Sequence, residues 1–267
     1  PLSFTDSSRG VGKYLFANRN NSEATSTVDH TSFDSDGFSV STGESVNDNG
    51  DTFVAWQWKA NGGTTSSNTD GYLTSTVQAN TTAGFSILTF TTDGSTRTVG
   101  HGLGVKPDVI WIASRNVAGG FLVITDAMDG SMDYGILRNT NAISSISYNA
   151  PTSTVFEYND NNTNTQVAYC FAQKQGYSKF GQYIGNGNAN GTFVYTGFKP
   201  AFIMGKRANT TGNWFIVDSK RDIDNPADKR LFLNTTSAES TSTNNEVDLL
   251  SNGFKLRRNL IQSNANG

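Results

Sequence analysis

Lys229-Arg230-Leu231-Phe232-Leu233-Asn234, leading through Glu239 to Ser251-Asn252-Gly253-Phe254, repeats a string near the N-terminus, Lys13-Tyr14-Leu15-Phe16-Ala17-Asn18, which leads through Glu23 to Ser35-Asp36-Gly37-Phe38. The spacing is the same in both with no gap. Just upstream, Asp6-Ser7-Ser8-Arg9 matches Asp218-Ser219-Lys220-Arg221, after which the later copy carries about four extra residues containing Asn225-Pro226. Self-similarity of this kind marks a chain built from one reused unit, so the unit has to be delimited before any element is assigned.

Two further correspondences delimit it. Val99-Gly100 through Gly104-Val105-Lys106-Pro107-Asp108-Val109-Ile110 runs parallel to Tyr195-Thr196-Gly197-Phe198-Lys199-Pro200-Ala201-Phe202-Ile203, and Leu122-Val123-Ile124-Thr125-Asp126 to Trp214-Phe215-Ile216-Val217-Asp218. Phe53-Val54-Ala55-Trp56-Gln57-Trp58 parallels Gln166-Val167-Ala168-Tyr169-Cys170-Phe171. The expected organisation is the C-terminal half of a unit at 1–59, a linker or edge strand at 60–83, a complete unit at 84–174 and a unit lacking its last strand at 175–267. Because the last copy already owns a second half, ring closure by the N-terminal piece is not expected. The reading is a stretch of a longer protein, with the missing strand supplied beyond Gly267 or by another subunit.

Composition sets the class. Of 267 residues only 16% are charged, against a usual ~25%. Asn, Thr, Ser and 27 Gly take their place, while 17 Phe and 9 Tyr supply material for a core and argue against disorder. A net charge of −3 removes a general case for nucleic acid or an anionic membrane as partner, and no apolar run approaches the ~18 residues of a membrane-spanning helix. One Cys and two His leave almost no material for zinc or Cys-His chemistry, and no cofactor is expected.

Short runs of β-branched and aromatic residues bounded by turn residues predict strands at 85–90, 96–99, 108–113, 121–125, 134–138, 153–158 and 166–172 in the middle copy. In the last copy they fall at 181–184, 192–195, 201–205, 214–217, 230–233 and 253–257. About seven short strands per hundred residues indicates an all-β fold of tandem sandwich-like units. Tyr72–Val77 adds a possible edge strand, and Val54, Trp56 and Trp58 alternate as a core-facing set.

The strings Val99-Gly100-His101-Gly102-Leu103-Gly104-Val105-Lys106-Pro107-Asp108, Tyr169-Cys170-Phe171-Ala172 with Gly176-Tyr177-Ser178-Lys179-Phe180-Gly181, and Gly187 to Lys199-Pro200 carry a resemblance. They resemble the repeat units of uncharacterised structural proteins of tailed bacteriophages, especially marine phages infecting cyanobacteria. The resemblance implies a tail fibre segment on the virion surface, made in the infected host cytoplasm. Its implied partners are other virion proteins and a host cell-surface glycan or protein, with homotrimeric assembly. It assigns no catalytic residue. The alternatives are a capsid-attached decoration or head fibre protein and a glycan depolymerase.

Individual residues are weighed against structural roles. His101 sits among glycines whose service is a turn between two strands. Glu23 and Glu239 recur at equivalent places, as do the pairs Asp6/Arg9 and Asp218/Arg221, so shared structural roles and surface ion pairs of little energetic worth are expected. Asp222, Asp224 and Asp228 form the one oxygen-rich cluster unique to its copy and are candidate calcium ligands, without the Gly and terminal Glu of an EF-hand. For carbohydrate or receptor binding the candidates are Trp58, which precedes a Gly-rich turn, and Asn161 and Asn162 in the tip Asn159-Asp160-Asn161-Asn162-Thr163-Asn164. Trp111, Trp214 and Cys170 lie within apolar strand runs and read as core.

Overall fold

In a computed structural model, which describes residues 2–241, 246–259 and 263–266, the chain is almost entirely β. The N-terminal part holds β1 (Ser3–Phe4), β2 (Lys13–Phe16), β3 (Ala24–Thr25), β4 (His30–Phe33), β5 (Phe38–Val40) and a single helical turn, α1 (Glu44–Asn47). Next come β6 (Ser66–Asn68), β7 (Ser75–Asn80), β8 (Phe85–Thr91), β9 (Arg97–Gly100), β10 (Val109–Ser114), β11 (Leu122–Thr125), β12 (Asp133–Ile136), β13 (Ser144–Ser145), β14 (Val155–Tyr158) and β15 (Thr165–Phe171). The C-terminal part holds β16 (Phe193–Tyr195), β17 (Phe202–Lys206), β18 (Trp214–Asp218), β19 (Lys229–Phe232), β20 (Ser240–Thr241), β21 (Val247–Leu250) and β22 (Gly253–Leu256).

An eight-stranded sheet ordered β13-β12-β11-β10-β15-β8-β7-β6 forms the centre. Alternation along its strands sends Trp111, Tyr169, Phe171, Phe85 and Ile87 to one face, and Ile110, Ile112, Ala168, Cys170 and Leu88 to the other. The first face packs on Leu15 and Ala17 from the β1-β2-β3 sheet and its flank, and on Trp214 and Ile216 of the β17-β18-β19-β20 sheet. The second is covered by the β9/β14 pair through Val99, Phe156 and Tyr158. Behind β17 and β18, the β16-β22-β21 sheet closes a third core around Phe215, Val217, Leu249 and Leu256. Segment 60–83 is not a bare connection: β7 pairs along β8 from Ser75↔Phe90 to Asn80↔Phe85, and β6 pairs with β7.

The repeated sequence is repeated structure down to the register. Ser3↔Phe16 and Phe4↔Leu15 correspond to Phe215↔Phe232 and Ile216↔Leu231. Lys13↔Thr25 corresponds to Lys229↔Thr241, and Phe33↔Phe38 to Leu249↔Phe254. In the middle copy β10, β11, β12 and β13 follow one another across the sheet as β17, β18, β19 and β20 do in the last.

The Asp-Arg motif is also rebuilt atom for atom, and it is not a surface feature. Asp6 Oδ1 accepts from the amides of Ser8 and Arg9 as Asp218 Oδ1 accepts from those of Lys220 and Arg221. Arg9 and Arg221 return an Nε bond to Asp6 Oδ2 and Asp218 Oδ2, reach Glu23 and Glu239 through Nη1, and reach the carbonyls of Phe4 and Ile216 through Nη2. The side chains of Arg9 and Asp6 are 0% and 3% exposed, so the small worth expected of a surface pair is corrected: both charges lie under packed layers. Burial works against the Arg9 cation, but Tyr169, Asp6 and Glu23 outweigh it and raise its pKa.

One expected strand is absent, and one sheet edge stands open. Gly181–Ile184 joins no strand ladder; Tyr183 instead sets its ring edge-on to Phe254 and donates its hydroxyl to the Ser263 carbonyl at 2.7 Å. Among the described residues β17 ends its sheet without a ladder partner on the flank where the middle copy seats β15, as expected of a copy that lacks its last strand. Trp56 and Trp58 of the same chain lie there, 5.6 and 5.7 Å from the Phe202 ring, without forming a ladder. Gly267 itself lies outside the described residues.

Candidate functional site

The sequence-predicted residues fall at separate places. Trp58 is 36% exposed and meets Phe171 and Phe202 in edge-to-face ring contacts. Asn161 and Asn162 are exposed beyond the other end of β15, Asn161 in the left-handed region at φ 58°. Asp222 accepts from the Lys229 amide at 2.6 Å and Asp228 from the Glu246 amide at 2.8 Å. Those bonds serve the backbone, and among the described residues no three His, Cys, Asp or Glu side chains converge as a metal site. His101 is buried, with Nε2 3.2 Å from the Thr152 carbonyl and Nδ1 accepting from the Leu103 amide, while Gly102 and Gly104 turn the chain at φ +71°.

A cleft of about 210 Å³ lies beside the Asn161-Asn162 tip, at the open end of the second core. It is built by strand alternation: Ile110, Ile112 and Ser114 share one face of β10, with Ser114 opposite Gln166 of β15. Ile112, Leu122 and Ile136 line it together with the turn Val117-Ala118-Gly119-Gly120, and Tyr158 and Asp160 supply polar groups. Gly120, at φ +75°, admits the turn, and Arg138 Nε donates to the Gly119 carbonyl at 3.1 Å.

The Gln166 amide nitrogen donates to Asp160 Oδ2. Gln166 is fully buried, and its Oε1 is without a partner among the described residues. Among the described residues the lining itself holds no cationic side chain, while Arg138 packs against its Gly119-Gly120 turn. Burial first, then the nearby Asp160 carboxylate, raises the Tyr158 hydroxyl above the ordinary phenol value, which keeps it a neutral donor and acceptor. The lining offers an aliphatic floor and a carboxylate acceptor at the rim.

Sequence reasoning pointed to this tip through its Asn residues and passed over Asp160 and Tyr158. The contrast between copies carries the signal: the core pairs Phe156↔Val99 and Phe254↔Val194 are equivalent, one residue off the sequence correspondence of Val99 with Tyr195, and they set Tyr158 against Leu256 and Asp160 against Arg258, so both polar groups are absent from the last copy.

No curated protein and no solved structure matches this chain. A family model does match, over residues 2–267, and the chain belongs to that family, described as Domain of unknown function (DUF7483).

Proposed function

We propose that this chain is a structural protein of a bacteriophage virion, a tail fibre segment that braces an extended particle and contributes to host cell-surface recognition, without catalysis. The observation that carries the reading is the doubled lock. Asp6-Arg9-Glu23 takes its aromatic partner Tyr169 from the middle copy, and Asp218-Arg221-Glu239 takes Trp56 from the first, so charged groups are spent on tying copies together. Such mutual bracing suits a repetitive, mechanically loaded body, and the phage-protein resemblance of its repeat strings supports the same assignment. Recognition falls to loops held on that body, of which the Asn159–Asn164 tip is the best placed.

Gold-labelled antibody against the chain, imaged on virions whose genome encodes it, tests the reading. Label on tail fibres, together with binding of the purified chain to host envelopes, is expected. Label confined to the capsid would replace the fibre with the decoration protein, and release of sugar reducing ends from envelope glycan would replace it with a depolymerase.

A further inference from the structure

We propose that the cleft beside β10 and β11 is a binding subsite for one uncharged pyranose ring, with Asp160 as the acceptor for its hydroxyls; this rests on the recognition reading above and gives it a site.

Four observations lead there. The cleft's 210 Å³ is room for about seven waters at ~30 Å³ each, the scale of one sugar ring and below that of a drug-sized ligand. Its floor of Ile112, Leu122 and Ile136 is aliphatic, matching the C–H face of a pyranose. Asp160 has one oxygen held by Gln166 and no ion-pair partner among the described residues, so an oxygen remains to accept from a ligand hydroxyl, and Tyr158 stands beside it. These polar groups are absent from the matching positions of the last copy, where Arg258 instead pairs with Glu246 at 3.2 Å. A feature required by the repeat's architecture would recur; this one does not.

Charge decides the class. An acidic sugar would bring its carboxylate against Asp160, and Arg138 is already engaged through Nε by the Gly119 carbonyl, so neutral rings are favoured over uronates and sialates by the same group that accepts hydroxyls.

The test uses the whole chain with ¹³C-labelled Ile and Leu methyl groups, titrated with D-glucose, D-galactose and D-mannose, with glucuronate and methylammonium as controls. Saturable shifts of the Ile112, Leu122 and Ile136 methyls with at least one neutral hexose are expected, at least ten-fold weaker in Asp160→Asn, and absent with glucuronate. Leu122→Trp, which fills the floor, is expected to abolish them; the remaining methyl spectrum reports folding of both variants. Methyl shifts with methylammonium alone, equal binding of glucuronate, or hexose binding untouched by Asp160→Asn would each overturn the subsite. No shifts with any of the three hexoses would overturn it too. Binding of the wild-type chain to host envelopes, measured alongside, separates the outcomes: envelope binding unaffected by both variants defeats this subsite alone, and no envelope binding by the wild type defeats the recognition reading.

Discussion

The hydroxyl of Tyr169 donates to the Asp6 carboxylate at 2.7 Å across 163 positions of sequence. Trp56, which holds the place of Tyr169 in the repeat, donates its indole nitrogen to Asp218 at 3.2 Å. Each carboxylate thus finds its aromatic donor in a different copy. In the middle copy the aspartate that ends the corresponding strand, Asp126, pairs with Lys106 at 2.7 Å.

Breaking the buried lock should cost more than trimming it. Arg9→Met leaves Asp6 as a buried charge without its cation and is expected to remove about 3–5 kcal/mol of stability. Tyr169→Phe leaves the ion pair and loses two hydrogen bonds, one donated to Asp6 and one accepted from Arg9, at about 1–3 kcal/mol. Urea denaturation of both variants checks the order; equal losses would show that the ion pair contributes nothing beyond the hydroxyl.

Acid should loosen the scaffold in a defined window. Burial raises the carboxyl pKa of Glu23 and Asp218, but the Arg115 and Arg9 bonds to Glu23, and the Arg221 and Lys220 bonds to Asp218, outweigh it and leave both below ordinary values. Groups depressed in the folded state contribute stability that is present above the unfolded pKa, about 4, and lost as pH falls through the folded value. Tm is therefore expected to drop below about pH 4, less steeply in Glu23→Gln. An identical acid profile in that variant would count against Glu23 as a source.

Asp133 is expected to behave in the opposite sense. Burial first, then Asp129, raises its pKa, and its Oδ2 is buried without a hydrogen-bond partner among the described residues. A carboxyl raised in the folded state loses stability as pH rises through that value, so Asp133→Asn should be more stable than wild type at pH 7 and indistinguishable from it at pH 3. Thermal melts at the two values test this, and destabilisation at pH 7 would refute it.

The segment carrying Trp56 and Trp58 is held by ring contacts without ladder bonds. Trp56→Ala is expected to speed proteolytic cleavage within 51–60 at least several-fold while leaving the amide protection of β8, β10 and β15 unchanged. Loss of protection in the central sheet would mean that the segment is part of the global folding unit.

In the central sheet, Leu88→Ala should destabilise by about 2–5 kcal/mol, because Leu88 is fully buried against the β9/β14 layer. Guanidinium titration reads the loss; a change under about 1 kcal/mol would mean that the second core collapses around the gap.

Local features were legible from the sequence because they depend on neighbours in the chain. The strand runs from Phe85 to Phe171, the turn around His101, the burial of Trp111, Trp214 and Cys170, and the identity of the two Asp-x-x-Arg turns all follow from alternation, turn chemistry and repetition. Only the tertiary structure decided which copy completes which. The Tyr169–Asp6 and Trp56–Asp218 bonds, the seat of Trp58 against Phe202, and the meeting of Asp160 with Ile112 and Leu122 join residues from separate strands and loops. A repeat presents several chemically similar surfaces, and periodicity says which face of a strand is apolar but not which of those surfaces it will cover. That choice is made by shape and by the pairing of buried charges, which exist only once the layers are stacked.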